Sequence, residues 1–256
     1  MNIDALLLSS GMAAAAGLVG CFAVMRRMAL AGDALSHVAL PGIGVALALH
    51  LHPVFGAATM LFFGALIVWT LEDRSRLATE TIIGVLFSAA LAVGTLFTSG
   101  DDLIEALFGG ETGAISRLEV GFGLVAAAVV TVFMLTRKHA LVVALVSPDI
   151  ARTIGINVRR LNLLYLQMFA LTMALGLRYL GVLLMGSLII IPAATAKRLS
   201  RNLNEMLMMA AVMAITATVL GSALATFLQR PTGPLIVTLA AAGFFLTFVR
   251  AEGNAR

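Results

Sequence analysis

The sequence predicts an all-α polytopic membrane protein of eight to nine transmembrane helices, most simply nine. Its N-terminus lies outside, its C-terminus is cytoplasmic, and a short extra helix lies on the cytoplasmic side. Three observations carry that prediction. Charged residues make up only 12% of the 256 residues and apolar residues 61%, whereas soluble domains carry about 25% charge. The apolar residues run on without the alternation a membrane barrel needs, as in GLVAAAVVTVFML at 123–135. The basic residues gather in short clusters between those runs. In lipid the backbone must satisfy its own polar groups, so unbroken apolar runs of about 20 residues read as helices.

The elements follow in order. Residues 5–25 form the first span, stopped by Arg26 and Arg27. The next span covers 36–52, and Pro53 marks a turn into the span at 54–71. Glu72, Asp73, Arg74 and Arg76 then break the pattern, and Thr79-Glu80 starts the span at 79–98, with the acid favourable at a helix N-terminus. DLIEALFGGETGAISR at 103–118 is too polar and glycine-rich to cross, and reads as a short re-entrant or surface helix. Spans at 120–136, 161–177 and 180–196 follow, the last two separated by a turn at Arg178-Tyr179. Asn202, Asn204 and Glu205 open the span at 206–228, and 234–250 completes the set. No internal repeat or low-complexity linker interrupts the chain, and residues 1–256 read as one integral-membrane domain.

With the N-terminus outside, fourteen of the 17 Lys and Arg fall on the cytoplasmic side, leaving Arg117, Arg178 and Arg230 outside. Basic residues favour the cytoplasmic face. Asp4, Asp101, Asp102, Glu105, Glu111 and Glu119 fall outside in the same layout. The pI of about 10 therefore reflects topology, and no nucleic-acid partner is expected. The single Cys21 excludes an internal disulfide and a cysteine metal cage. No basic leader precedes the first apolar run. No GxxxxGK[ST] phosphate loop is present, so ATP hydrolysis is not expected of this chain.

GDALSHVALPGIG at 32–44 is the most informative stretch. Asp33 and His37 stand four residues apart, one turn apart on a helix face. A carboxylate and an imidazole suit a borderline divalent metal such as zinc or manganese. Two ligands leave a site incomplete, which suits an ion that must also leave. Ionisable residues inside a span cost about 2.5–3.5 kcal/mol on insertion scales and are functional candidates by default. A second reading stands beside it: Asp33 caps the helix that follows and His37 bonds a neighbouring helix. Pro41 removes a helical hydrogen bond, while Gly42 and Gly44 admit another backbone at close range.

SPDIARTIGINVRR at 147–160 predicts a short amphipathic helix over Asp149, Ile150, Ala151, Arg152, Ile154 and Gly155, capped by Ser147 or Asp149. Ile150, Ala151 and Ile154 are expected on one face. It either lies on lipid headgroups or docks a soluble cytoplasmic partner. In GVLLMGSLIIIPAATAKR, Pro192 should kink an apolar span and Thr195 can satisfy a freed carbonyl. Gly181, Gly186, Ala193, Ala194 and Ala196 make a close-packing stripe there. His50 and His52 flank the turn at Pro53 on the outside, where they could meet arriving metal, a delivery partner, or only solvent.

RRMALAGDALSHVALPGIGVAL, ALFGG, SPDIARTIGINV and GVLLMGSLIIIPAATAKR, in this order, resemble the permease subunit of the zinc/manganese class of ATP-binding-cassette importers. The resemblance covers nearly the whole chain. It implies a bacterial plasma-membrane permease with no permanently bound cofactor and a transported zinc or manganese ion. It also implies a second permease copy, a cytoplasmic ATPase that binds the ATP, and an extracytoplasmic solute-binding protein. It maps the metal path to Asp33 and His37 and the coupling helix to Asp149–Gly155. ALFGGETG departs from the family pattern after its Phe-Gly, so no role is carried to Glu111. Span counting places Asp33 and His37 at the cytoplasmic end of the second span, and a deeper site requires that span to begin earlier.

Three other functions compete. A permease for iron chelates shares the coupling-helix pattern, but a large chelate needs a wide path without ligands. A proton-coupled transporter tends to carry several intramembrane acids and an inverted repeat; Asp33 is the one strong candidate here. An intramembrane enzyme would need HExxH, a second intramembrane Asp or a placed Ser-His pair, and none stands out.

Overall fold

The computed structural model describes residues 3–28, 31–75, 77–97, 117–179 and 182–253, and those residues form ten helices and no strand. They are α1 (Ile3–Met25), α2 (Ala31–Ala48), α3 (Pro53–Arg74), α4 (Thr79–Phe97) and α5 (Arg117–Val146). Then come α6 (Pro148–Thr153), α7 (Val158–Tyr179), α8 (Val182–Leu199), α9 (Leu203–Leu228) and α10 (Thr232–Gly253). Each of the nine apolar segments becomes a helix, and α6 is the predicted short one. Five helical stretches are long and apolar enough to cross a membrane: Asp4–Met25, Val54–Arg74, Arg117–Val146, Val158–Leu177 and Leu203–Leu228. Large apolar side chains such as Phe63, Phe122, Val125 and Phe245 point outward, as a lipid solvent permits and water does not.

Two groups of helices meet at α7. On one side α2 packs against α3 and α4; on the other α1 packs against α5, α8 and α9, with α10 against α8 and α9. α7 touches α1, α2, α3, α5 and α8. Close approach is achieved with small residues. A Cβ on Gly20 would lie 1.8 Å from the Ile189 carbonyl oxygen of α8, and one on Gly42 would lie 2.2 Å from that of Gly56 in α3. Lipid tails give no hydrophobic drive for helix association, so such backbone contact supplies the packing.

Several boundaries differ from the sequence expectation. The second helix runs over 31–48 rather than 36–52. It ends early because His50 takes a left-handed φ of 54° and the Leu51 N–H returns to the Ala46 carbonyl, closing the helix. The turn at Pro53 holds: Pro53 is the first residue of α3 and His52 its cap. Arg178 and Tyr179, expected at a turn, are instead the last two residues of α7, and α8 starts at Val182. The fifth helix runs to Val146, past the predicted stop at 136, because Arg137, Lys138 and His139 are exposed or half-buried and carry no helix-breaking residue. The expected re-entrant segment at 103–118 lies outside the described residues up to 116, and Arg117 and Leu118 open α5. At α9, Asn202 Oδ1 caps the helix by accepting the Glu205 N–H at 2.9 Å, and Glu205 Oε2 accepts the Arg201 N–H at 2.9 Å.

Candidate functional site

The site is built on the early start of α2. After α1, Arg27 adopts a left-handed φ of 60° and the Met28 N–H bonds the Ala23 carbonyl at 2.8 Å. Met28 is buried, and its own carbonyl accepts the Ala31 N–H at 3.0 Å. α2 therefore begins inside the bundle. Asp33 is its third residue, so it is not the helix cap that one reading expected. A Cβ on Gly32 would come within 3.5 Å of Gly186 Cα in α8 and 3.8 Å of Phe169 Cζ, midway along α7. His37 stands half-buried with its ring edge-on to Phe87, midway along α4, at 5.1 Å between centroids and 88° between planes. Helix α2 thus brings the turn bearing Asp33 and His37 beside Phe169 of α7, Gly186 of α8 and Phe87 of α4.

Pro41 lies within α2 and is buried, with its ring Cδ 3.6 Å from where a Cβ on Gly94 of α4 would stand. Gly42 meets Gly56 backbone to backbone, and Gly44 is buried. The Pro-Gly stretch is therefore where α3 and α4 close on α2. Pro192 is buried inside α8. Thr195 Oγ1 donates to the Ile191 carbonyl at 2.7 Å, one turn back from itself, and so does not cap the Leu188 carbonyl that Pro192 leaves without its N–H.

His50 and His52 lie between α2 and α3. His50 is exposed at the left-handed end of α2. His52 Nδ1 accepts the Val54 N–H at 3.4 Å, and its ring lies edge-on to Phe55. Among the described residues no three His, Cys, Asp or Glu gather closely enough to hold a metal ion.

The short helix covers Pro148–Thr153, slightly earlier than Asp149–Gly155. Ser147 Oγ caps it, accepting the Ile150 N–H at 3.4 Å. Gly155 ends it at a φ of 82°, with the Ile156 N–H returning to the Ala151 carbonyl at 2.9 Å. Asn157 Oδ1 then accepts the Arg160 N–H at 3.0 Å and caps α7 at once. Ala151 is fully buried, whereas Ile150 and Ile154 are 58% and 61% exposed. The three do not share a face. A four-residue spacing aligns Ile150 with Ile154, and Ala151 is rotated by about 100° onto the bundle. Arg152 and Asp149 pair at 2.9 Å on the exposed side.

Sequence reasoning missed a cluster beside this helix. A cavity of about 650 Å³ is lined by Trp69 and Asp73 of α3 with Asn157, Arg159 and Asn162, among others. Arg159 Nε is 3.1 Å from Asp73 Oδ2, and its guanidinium lies 4.8 Å from the Trp69 ring centroid. The Trp69 indole N–H donates to the Arg159 carbonyl at 3.0 Å. Arg26 donates to Asn162 Oδ1 and lies 4.6 Å from the Tyr165 ring centroid, tying the end of α1 to the same turns of α7. The signal in the sequence was a Trp followed by two acids at a helix end and an Arg pair at another helix start. Nothing in the pattern joins them.

Comparison with known proteins places the whole chain. The profile of the ABC 3 transport family matches residues 1–251. The high-affinity zinc uptake system membrane protein ZnuB of Haemophilus influenzae is 31% identical over 242 residues, 91% of each chain. The manganese transport system membrane protein MntC of Listeria innocua is 29% identical over 251 residues, 96% of this chain and 89% of the relative. Among solved structures, PsaBC from Streptococcus pneumoniae in complex with Fab superposes with a TM-score of 0.79 at 28% identity, covering 96% of this chain and 90% of that one.

Proposed function

This chain belongs to the ABC 3 transport family, and from that premise we propose that it is the membrane-spanning permease of an ATP-driven importer for a bare divalent transition-metal ion, zinc or manganese. The relatives whose names state zinc uptake and manganese transport support that cargo. The observation that best supports the reading is on α2: Asp33 and His37 stand one turn apart, Gly32 beside them packs near Phe169 of α7 and Gly186 of α8, and the His37 ring lies edge-on to Phe87 of α4. Ionisable groups within a membrane span are costly and are functional candidates by default.

The nine long helices each cross a bacterial plasma membrane, N-terminus outside and C-terminus inside, within one integral-membrane domain. Two copies of the chain form the path. Asp33 and His37 of each copy together supply four ligands, enough for a tetrahedral site and few enough for release. An extracytoplasmic solute-binding protein delivers the ion near His50 and His52. A separate cytoplasmic ATPase docks on α6, where Ile150 and Ile154 offer an exposed apolar pair rimmed by the Asp149–Arg152 ion pair. ATP-driven closure of the two ATPases moves α6, and the bundle alternates access to the site between the two faces. This chain binds no resident cofactor and hydrolyses nothing itself.

Uptake of radiolabelled zinc and manganese tests the proposal, in cells lacking this chain, with the chain restored, and with Asp33→Ala, His37→Ala or both. Restored uptake of one ion, lost in the double variant, is the expected result. Restored uptake that survives both substitutions would remove the ion-path assignment. No bare-ion uptake at all would move the cargo to a chelate.

A further inference from the structure

Helix α6 is joined to α7 without slack. The Gly155 closure and the Asn157 cap follow one another directly, with only residues 154–157 between the two helices. A displacement of α6 must therefore turn the first residues of α7. Arg159 is the second residue of α7, and it makes three contacts with one turn of α3: an ion pair to Asp73, a stack on Trp69, and a carbonyl that accepts the indole N–H. Asp73 and Arg159 side chains are 39% and 59% exposed, a setting in which ion pairs stabilise a fold little. Three coincident contacts on one residue nevertheless fix both distance and orientation, because a planar guanidinium accepts few poses. The same end of α3 is tied to α4, where Thr79 Oγ1 donates to Glu72 Oε1 at 2.7 Å. Farther along, α3 touches α2 at Gly56 against Gly42 and at Gly64 against Val38, contacts too close to slide.

We infer that the Trp69–Asp73–Arg159 clasp is the linkage that carries movement of α6 through α3 to the helix bearing Asp33 and His37. It rests on the importer reading above. Arg159 is a positioning residue: it touches neither the ion nor ATP. Without its side chain the ion pair and the ring contact are lost, only the carbonyl's bond to the Trp69 indole and the packing of α7 on α3 remain, and α3 follows α6 less faithfully, so fewer hydrolysis events reorient α2. Arg26 on Tyr165 and Asn162 ties the same turns of α7 to the end of α1 and sets the pivot.

The test uses the full permease–ATPase complex in lipid vesicles with the binding protein, and reads both metal transported and ATP hydrolysed. Arg159→Ala is expected to keep hydrolysis within about twofold of the parent while metal moved per ATP falls about tenfold, within the range that coupling residues command. Arg159→Lys keeps the charge but loses the planar stack, and Trp69→Phe keeps the ring but loses the N–H; each is expected to fall between parent and alanine variant. Should Arg159→Ala not assemble, those two decide the matter. An unchanged ratio of metal to ATP in an active complex would overturn the inference alone. A parent complex that moves no bare ion would remove the importer reading and this inference together.

Discussion

The contact between Gly42 and Gly56 sets a measurable limit on α2. A Cβ at Gly42 would lie 2.2 Å from the Gly56 carbonyl oxygen and 2.7 Å from Met60 Cβ; one at Gly56 would lie 2.0 Å from the Gly42 oxygen and 2.7 Å from Ala46 Cβ. Backbone atoms cannot swing aside as a flexible side chain can. Either alanine forces the helices about 1 Å apart there, and a gap of that size forfeits a quarter to a half of each affected dispersion contact. Gly42→Ala and Gly56→Ala should each cost about 1–3 kcal/mol, the usual range for overpacking. In detergent this lowers the melting temperature by about 2–4 °C per kcal/mol for a chain of this size. The double variant carries the sharper test. One separation of α2 from α3 makes room for both methyls, so the two costs should overlap and the coupling should reach about 1 kcal/mol or more. Gly84→Ala, on α4 with nothing within 4 Å, is the control and should not destabilise. Single variants that melt with the parent, or a double variant whose loss is the full sum, would refute the reasoning that the two backbones touch.

The exposed pair on α6 yields a second test: Ile150→Asp with Ile154→Asp should abolish co-purification of the ATPase while the permease melts as before, whereas Ala151→Asp should destabilise the permease itself. The elbow yields a third: Gly155→Ala must hold a left-handed backbone at about 1–2 kcal/mol, and Ser147→Ala loses a cap worth about 1 kcal/mol, so both should speed hydrogen exchange at the amides of 150–156. Cys21 is the chain's one cysteine and is fully buried in α1. A maleimide should leave the folded protein unlabelled and label it on denaturation; ready labelling of the folded form would contradict the packing of α1 against α9.

Much of the fold was legible because lipid imposes a simple rule on sequence. Each long apolar run had to become a helix, and each run did. What the rule leaves open is where helices begin and end. Charge marked the end of α1 correctly, at Arg26. It misplaced the start of α2, because Met28 and Ala31–Gly32 are apolar or small and pass equally for loop or helix. Burial of Met28 and the fit of Gly32 against Gly186 decide that start, and the second depends on α8, far away in the chain. The overrun of α5 has the opposite cause. Arg137 and Lys138 read as a stop because they cannot sit in lipid, yet both are good helix formers, and the helix simply leaves the apolar layer. On α6 the expected shared face failed because adjacent residues on a helix point about 100° apart, and Ile150–Ala151 cannot both face the bundle.

The site was legible in part for a reason that also explains the clasp's silence. A carboxylate and an imidazole inside an apolar bundle are expensive, so their presence in the sequence carries information about use. Asp33 and His37 stood out for that cost before any neighbour was known. At the basic end of the bundle the cost disappears. Asp73 and Arg159 are part-exposed there, and acids and bases at such a boundary are ordinary residents whether or not they meet. Their pairing depends on α3 and α7 lying side by side, which no local pattern encodes. Trp69 is the partial exception. It is the chain's one tryptophan, set one turn before the end of a span, where an indole commonly anchors to the headgroup layer. That general role hid a specific one, because its N–H is spent on Arg159 rather than on the interface. In this fold the groups that would touch the ion are betrayed by what they cost, whereas the groups that would move it cost almost nothing and become visible only when the helices are placed.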